Sequence, residues 1–246
     1  MQRYFIEAVA QVNDIVQLSE ADSRHLLRVM RAKNGEKVIV VANHTPFEAE
    51  VIEGDPLAHV RLVRKLEQAS ELPVQVTIAC GLSKHDKVET IVQKATECGM
   101  HEFVPLALKR DVVKWDGKKA NQRVERLTKI AKEAAEQSHR TVVPKVHPLS
   151  NLRSLLAASS LYDIKLVAYE ETAKMGAHTA LKQIAQQMQT NQKVLVVFGS
   201  EGGLAPEEVV QLLEAGFTPC SLGPRILRAE TAPIYLLSAL SYQLEL

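Results

Sequence analysis

Residues 194–198 have the sequence Val-Leu-Val-Val-Phe, an uninterrupted apolar run typical of a strand that is buried on both faces. Around it, from residue 74 onward, short apolar runs alternate with segments of helical periodicity. This order predicts an α/β domain with a largely parallel sheet covered by helices on both faces. The predicted strands are residues 74–82, 103–108, 142–146, 165–169, 194–198 and 217–222. The predicted helices are residues 87–98, 120–138, 152–158, 177–189, 206–215 and 229–243.

The N-terminal part of the chain has a different pattern, in which short alternating strands are separated by turns such as residues 54–56. The predicted strands are Arg3–Ile6, Glu36–Val41, Phe47–Ile52 and His59–Val63. One helix interrupts them, capped by Ser19, with Leu26, Leu27, Val29 and Met30 on its apolar side. Several short strands predict a small β-barrel. The polar stretch 68–73, which ends in proline, places the domain boundary so that the domains are 1–72 and 73–246.

The composition excludes several classes of protein. Of the 246 residues, 46% are hydrophobic and 24% are charged, which are globular proportions that exclude disorder. No apolar run approaches the length of a membrane span, and the N-terminus lacks the apolar core of a secretory signal. The three cysteines are far apart and odd in number, so we expect no disulfide framework, no metal site and a reducing cytoplasm.

The charge is distributed unevenly. The net charge is +1 for the whole chain, but −2 for residues 1–72, +6 for residues 73–153 and −3 for residues 154–246. Residues 109–132 alone contain nine basic and three acidic side chains. A basic stripe of this kind is either a phosphate-binding surface or a solvated helix face, and charge alone does not decide between them.

A glycine-rich segment follows the strand at residues 194–198, where open α/β sheets bind their ligands. It reads Gly199-Ser200-Glu201-Gly202-Gly203, and a tight turn alone would need only one glycine. The segment lacks the Gly-Lys-Ser/Thr of a phosphate loop, the chain has no Gly-x-Gly-x-x-Gly, and a nucleophile elbow would need glycine at Phe198. Since Glu201 would repel a polyphosphate, a neutral or cationic ligand fits better.

Three further segments combine polar side chains that could carry chemistry. Residues 222–232 read Leu-Gly-Pro-Arg-Ile-Leu-Arg-Ala-Glu-Thr-Ala, in which Arg228 and Glu230 flank a helix start. A local ion pair between those two side chains would also explain them. The other two segments are helical: residues 93–99, Gln-Lys-Ala-Thr-Glu-Cys-Gly, and residues 136–140, Glu-Gln-Ser-His-Arg. Either helix could be ordinary amphipathic surface.

Together these four segments resemble the RsmE family, bacterial methyltransferases of the SPOUT superfamily that modify N3 of a uridine in small-subunit ribosomal RNA. Residues 25–31, His-Leu-Leu-Arg-Val-Met-Arg, also resemble the N-terminal helix of that family. Two residues depart from its usual motifs: Ser200 stands where the family has proline in Gly-Pro-Glu-Gly-Gly, and Ala229 where it has threonine in Arg-Thr-Glu-Thr-Ala. Neither departure removes a charged group.

The resemblance implies a PUA-like RNA-binding β-barrel followed by a SPOUT domain with a trefoil knot at about residues 165–246. It implies a homodimer, S-adenosylmethionine as the cofactor, and 16S ribosomal RNA in the assembled small subunit as the substrate. The cofactor-binding residues would be Gly199, Glu201, Gly202, Gly203, Leu222, Gly223, Ile226 and Leu227.

The expected chemistry is methyl transfer to a ring nitrogen that must first lose its proton. We therefore expect Arg228 to stabilise the developing oxygen charge and Glu230 to act as the base or to orient Arg228. RNA phosphates would be contacted by basic residues, with an affinity that falls steeply with salt. The expected RNA-binding residues are Arg3, Arg24, Arg28, Arg31, Lys84, Lys94, Arg123 and Arg140.

Three other functions fit parts of the sequence. A non-catalytic RNA-binding or assembly factor on the same fold would not bind S-adenosylmethionine. A SPOUT enzyme acting on transfer RNA would label a different RNA. A hydrolase using Ser200 is disfavoured because the elbow glycine and an identifiable His/Asp pair are missing.

Overall fold

A computed structural model describes residues 1–54, 56–67, 70–169 and 180–246. The described residues form twelve strands and seven α-helices. The strands are β1 Arg3–Ile6, β2 Ile15–Gln17, β3 Lys37–Ala42, β4 Thr45–Gly54, β5 Ala58–Lys65, β6 Gln75–Gly81, β7 Glu102–Ala107, β8 Lys145–Val146, β9 Ser150–Asn151, β10 Ile164–Ala168, β11 Lys193–Phe198 and β12 Thr218–Cys220. The helices are α1 Glu20–Arg24, α2 Lys87–Glu97, α3 Gly117–Gln137, α4 Leu152–Ala158, α5 Ala180–Gln187, α6 Pro206–Glu214 and α7 Thr231–Glu245.

Three sequence predictions fall partly outside the described residues. They are the centre of the turn at residues 54–56, the polar stretch at residues 68 and 69, and the start of the helix predicted for residues 177–189. The range predicted for the trefoil knot, about residues 165–246, also includes residues outside the described part, 170–179, so the knot stays a prediction.

The chain divides into two units. One contains Met1–Glu71 together with Ala135–Val143, and the other contains Leu72–Ala134 together with Pro144–Leu246. The end of α3 and the residues after it therefore belong with the N-terminal unit, although they are far from it in sequence.

The N-terminal unit contains a five-stranded sheet in the order β1-β3-β4-β5-β2, with β1 parallel to β3 and the other pairs antiparallel. All four predicted strands are confirmed. Strand β2 was not predicted, because it has only three residues and an exposed Ile15. Alternate strand residues fill one core: Tyr4, Val38, Val40, Phe47, Ala49, Val51, Val60 and Leu62.

The predicted N-terminal helix is only partly correct. The Ser19 side chain accepts a hydrogen bond from the Asp22 amide and caps α1, as predicted. The next turn, His25–Val29, is π-helical, and a π turn has more residues per turn than an α-helix. Leu26 is buried as expected, but Val29 and Met30 are 66% and 44% exposed, so their predicted place on an apolar side is wrong.

The second unit contains a seven-stranded sheet in the order β12-β10-β11-β6-β7-β8, with β9 also paired to β7, and every pairing is parallel. Strand β11 is buried on both faces, as predicted: Val194 and Val196 belong to one hydrophobic cluster, while Leu195 and Val197 belong to the other. The strand predicted for residues 142–146 is shorter, because Pro144 lacks the N–H that a ladder needs.

A buried ion pair ties Ala135–Val143 to the rest of the N-terminal unit. Arg140 is 2% exposed, and its guanidinium donates to Glu71, with 3.0 Å between Nε and Oε2. The amide of Thr141 donates to the other Glu71 oxygen at 2.7 Å, and Arg3 donates to the Arg140 carbonyl at 2.8 Å.

This arrangement corrects two predicted RNA contacts. Arg3 and Arg140 are both 2% exposed and engaged within the fold, so neither presents its guanidinium to an RNA phosphate. Their sequence positions gave no sign of this, because the groups that hold them are distant along the chain.

We expect Glu71→Gln to lower the free energy of unfolding by about 3 kcal/mol, because it removes the carboxylate charge that pairs with the buried guanidinium of Arg140. Urea unfolding followed by circular dichroism measures the change. Lys129→Gln is the matched control: it removes the exposed Lys129–Glu133 ion pair and should cost less than about 0.5 kcal/mol. Equal costs for the two variants would contradict the structural role of Arg140.

Candidate functional site

A cavity of about 940 Å³ opens at the carboxyl edge of the parallel sheet, a volume typical of small-molecule sites. It lies where β10, β11 and β12 end. Two loops form about half of its wall: the glycine loop, Gly199–Gly203, and the C-terminal loop, Leu222–Leu227. Both were predicted as ligand-binding segments. Arg110, Tyr169 and Lys87 complete the wall from other elements.

The glycine loop is a tight turn that requires glycine at two of its positions. The amide of Gly203 donates to the Ser200 carbonyl at 2.9 Å, and Gly203 has a φ of +70°. A Cβ on Gly199 would lie 2.8 Å from the carbonyl carbon of Gly203. The loop therefore folds back on itself more closely than a side chain at either position would comfortably allow.

The glycine loop also packs against the ends of β6 and β7 through its backbone. A Cβ on Gly81 would lie 2.5 Å from the amide nitrogen of Ser200. A Cβ on Gly202 would lie 2.5 Å from the carbonyl oxygen of Arg110. These contacts fix the position of the loop relative to both neighbouring strands.

Two carboxylates bind the backbone amides that surround this packing. Asp111 Oδ2 accepts from the amides of Leu108 and Leu82, at 2.9 and 3.2 Å. Glu208, which is 2% exposed, accepts from the amides of Lys109 and Ala205, both at 2.8 Å. They satisfy donors that would otherwise be unpaired where three strands end.

The local electrostatics of Asp111 raise its pKa above the ordinary value. Burial is the largest cause, and the nearby charge of Glu208 acts in the same direction. The amides of Leu108 and Leu82 and the hydroxyl of Ser200 oppose the shift without cancelling it. The Ser200 side chain is itself buried, at 6% exposure, so it supports the loop from inside and is not presented as a nucleophile.

The C-terminal loop contributes an apolar part of the cavity wall. Gly223 has a φ of +100°, and its amide donates to the Ser221 hydroxyl oxygen at 3.2 Å. Leu222 and Leu227 are half-buried, whereas Ile226 is 78% exposed. The loop thus presents aliphatic side chains to whatever enters the cavity.

The two predicted catalytic residues are placed differently. Arg228 is exposed and lines the cavity, and its carbonyl accepts the first hydrogen bonds of α7. Glu230 is the N-cap residue of α7, and its ion pair is with Lys87, at 3.5 Å, and not with Arg228. A local ion pair between Arg228 and Glu230, the alternative explanation for their sequence pattern, is therefore wrong.

Lys87 lines the cavity but is not among the predicted site residues, as is also true of Arg110 and Tyr169. Its ammonium lies 3.2 Å from Glu201 Oε1, which also accepts the Lys84 amide at 3.1 Å. Burial alone would raise the pKa of Glu201, but its own amide, Lys87, the Lys84 amide and Ser83 together lower it. Lys87 already compensates the negative charge of Glu201. The Glu201 carboxylate therefore gives weaker support for a cationic ligand than the sequence suggested.

The other predicted RNA-binding residues are at the surface. Arg24, Arg28 and Arg31 are exposed on the N-terminal unit. On the second unit, Lys84, Lys94 and Arg123 are exposed. Two of these have partners, since Lys94 pairs with Glu97 at 2.9 Å and Arg123 lies 5.3 Å from the centre of the Trp115 ring.

Two structural findings concern metals and membranes. In the residues that the structure describes, no three His, Cys, Asp or Glu side chains are grouped so that they could hold a metal ion. No helix among those same residues is long and apolar enough to cross a membrane.

Comparison with known proteins places the chain among the RNA methyltransferases. The RNA methyltransferase domain profile matches residues 70–241, and the RNA methyltransferase PUA domain profile matches residues 18–63. The ribosomal RNA small subunit methyltransferase E of Bacillus subtilis is 43% identical, over 100% of this chain and 98% of that protein. The chain belongs to the ribosomal RNA small subunit methyltransferase E family. The Synechocystis member is 31% identical over 94% of this chain and 74% of its own length.

Solved structures agree with this assignment. The methyltransferase E of Neisseria gonorrhoeae bound to S-adenosyl methionine has a TM-score of 0.85 and 27% identity, covering 98% of this chain and 97% of its own. A putative methyltransferase from Legionella pneumophila, in complex with the same cofactor, also has a TM-score of 0.85. The predicted fold class, a PUA-like unit followed by an α/β methyltransferase unit, is confirmed for this family member.

The raised pKa of Asp111 predicts a pH dependence of stability. A carboxyl with a raised pKa in the folded state adds stability below its ordinary value of 3.8, and this is lost as the pH rises through the raised pKa. Asp111→Asn cannot ionise, so its free energy of unfolding, measured by urea titration, should fall less than that of the wild type between pH 3.8 and neutrality. If the free energies of unfolding of the two proteins changed equally with pH, the raised pKa of Asp111 would be contradicted.

Proposed function

We propose that this protein transfers a methyl group from S-adenosylmethionine to N3 of one uridine in 16S ribosomal RNA of the assembled small subunit. The observation that supports this proposal most directly is the cavity at the carboxyl edge of the sheet, because both loops in its wall contain the family motifs. Membership of the ribosomal RNA small subunit methyltransferase E family supports the reaction, and the S-adenosyl methionine bound to the Neisseria relative supports the cofactor.

The residues present fit S-adenosylmethionine. The cavity combines a wall of glycines, Gly199, Gly202 and Gly203, which have no side chains to fill it, with the aliphatic wall of the C-terminal loop, which suits a nucleoside with a polar tail. Leu222, Gly223, Ile226 and Leu227 would contact the adenosine part, and Glu201 lies on the opposite loop. When bound, the cofactor supplies an electrophilic methyl group.

The methyl acceptor needs help from the protein because N3 of a neutral uridine carries a proton. Arg228, exposed at the cavity, would stabilise the negative charge that develops on a uridine oxygen as that proton leaves. Glu230 would accept the proton at its carboxylate oxygen. The two loops would hold the methyl donor and the base edge together, and correct orientation alone can contribute a large part of the rate.

The remaining expectations form part of the same proposal. Arg24, Arg28, Arg31, Lys84, Lys94 and Arg123 would contact RNA phosphates. A homodimer is supported by exposed apolar side chains on α7 and the loop before it, Tyr235, Tyr242 and Ile226. Three free cysteines support the cytoplasm as the location. The knot at about residues 165–246 belongs to the proposal as well. So do the domain limits 1–72 and 73–246 as divisions of the sequence, with Ala135–Val143 grouped with the N-terminal unit in the fold.

Methylation of isolated small ribosomal subunits tests this function. Subunits from cells that lack the modification are incubated with the purified protein and methyl-labelled S-adenosylmethionine, and the label is mapped by nuclease digestion and mass spectrometry. We expect label on N3 of a single uridine in 16S RNA. Binding of the cofactor without transfer to subunits, but with label on transfer RNA, would favour the other substrate; no cofactor binding would favour a non-catalytic RNA-binding protein.

Arg228→Ala should lower kcat by about a hundredfold or more, because it removes a group that acts on charge developing in the transition state. The dissociation constant for S-adenosylmethionine, measured by calorimetry, should change by less than about threefold, since Arg228 is not among the residues proposed to hold the cofactor. Arg225→Ala is a suitable comparison, because Arg225 is a neighbouring exposed arginine that also lines the cavity. Equal losses of rate and cofactor affinity in Arg228→Ala would exclude a role limited to the transition state.

A further inference from the structure

Lys87 lies between two carboxylates that come from different parts of the chain. Its Nζ is 3.2 Å from Oε1 of Glu201 in the glycine loop and 3.5 Å from Oε2 of Glu230 at the start of α7. All three side chains are partly shielded, with exposures of 30% for Lys87, 27% for Glu201 and 21% for Glu230. Partial shielding strengthens such contacts relative to a fully solvated ion pair.

The position of Lys87 is not explained by the stability of its own helix. It is the first residue of α2, where the helix dipole disfavours a positive charge and where the acidic Glu89 is the favourable residue. An ammonium at this position therefore opposes the dipole. Its favourable interactions are with the glycine loop and with α7.

These contacts favour the charged form of Lys87. The hydrogen bond to Glu201 is the largest cause that raises the pKa of Lys87, and the charges of Glu201 and Glu230 add to it against a smaller effect of burial. A lysine is an ammonium at neutral pH in any case, so the contribution of these contacts is to fix where that charge lies. A single cation thus connects the glycine loop to the residue proposed to accept the uridine proton.

We propose that Lys87 is a positioning residue for methyl transfer, holding Glu230 beside the cavity and, through Glu201, holding the glycine loop against α2. This inference rests on the proposed function, since it assigns Lys87 a role toward that reaction. Lys87 does not itself act on the reacting atoms. It acts through two carboxylates, and each of these gives a separate measurable effect.

Substitution of Lys87 separates charge from side-chain volume. Lys87→Met keeps most of the volume without the charge, and it should lower kcat on small subunits by about tenfold or more, because small displacements of a catalytic group are costly. It should also raise the dissociation constant for S-adenosylmethionine by about threefold to tenfold. Lys87→Arg keeps the charge and should recover most of both losses. Lys182→Met, on the exposed face of α5, should leave both values unchanged.

Double variants distinguish positioning from general destabilisation. If Lys87 acts through Glu230, adding Lys87→Met to Glu230→Gln should not lower kcat further. If it acts through Glu201, adding Lys87→Met to Glu201→Gln should not weaken cofactor binding further. The proposal would be overturned if Lys87→Met lowered kcat further in Glu230→Gln and also weakened cofactor binding further in Glu201→Gln. It would also be overturned if Lys87→Arg did not recover the activity and affinity lost in Lys87→Met. Lys87→Gln serves in the same pairs if the methionine variant does not fold.

The wild-type controls separate this inference from the proposed function. If the wild type binds S-adenosylmethionine but labels no small subunit, the proposed substrate is wrong. The Lys87 proposal is then decided by calorimetry, which compares the cofactor dissociation constant of Glu201→Gln with that of the double variant Glu201→Gln, Lys87→Met. If the wild type labels subunits and Lys87→Met matches it in kcat and affinity, only the Lys87 proposal fails. A wild type that binds no cofactor would overturn both.

Discussion

The site depends on backbone segments that approach one another more closely than side chains permit. Gly81 meets the amide of Ser200, and Gly202 meets the carbonyl of Arg110, each where an added Cβ would lie 2.5 Å from the neighbouring atom. Such proximity is possible because parallel strands end together at one edge of the sheet, so the loops that follow them converge. The position of the glycine loop in the cavity wall is consequently determined by the sheet.

Where main-chain segments pack closely, their amide groups need hydrogen-bond acceptors, and acidic side chains provide them. Asp111 and Glu208 accept hydrogen bonds from backbone amides at the ends of β6 and β7 and at the start of α6. Carboxylates can accept several hydrogen bonds at once, which suits a place where donors from separate segments gather. The same chemistry operates in the N-terminal unit, where Glu71 receives both a guanidinium and the Thr141 amide.

Much of the fold and half of the site were predictable because the deciding information is local. The apolar run at residues 194–198 specified a strand buried on both faces, and the glycines after it marked a close backbone approach. The sequence motifs also located the cavity. Local patterns failed where a short strand relies on a distant partner, as β2 does on β5, and where a π turn rotates Val29 and Met30 outward.

The charged residues were the hardest to assign because their partners are remote in sequence. Arg140 meets Glu71 from 69 residues away, and its carbonyl accepts from Arg3, 137 residues away. Lys87 likewise meets Glu201 and Glu230 only after the sheet has formed. A lone lysine or arginine in a sequence carries no sign of which carboxylate it will face. Basic residues that appear equivalent in the sequence therefore divide into structural and surface groups in the folded protein.

The grouping of Ala135–Val143 with the N-terminal unit means that the two units are not separable by one cut in the polypeptide. A fragment beginning after residue 72 would retain the guanidinium of Arg140 and discard the carboxylate of Glu71 that neutralises it. Truncation or recombination near residue 72 would thus destabilise the fragment that contains Arg140. An exchange of the N-terminal unit would therefore have to replace two non-contiguous pieces of chain together.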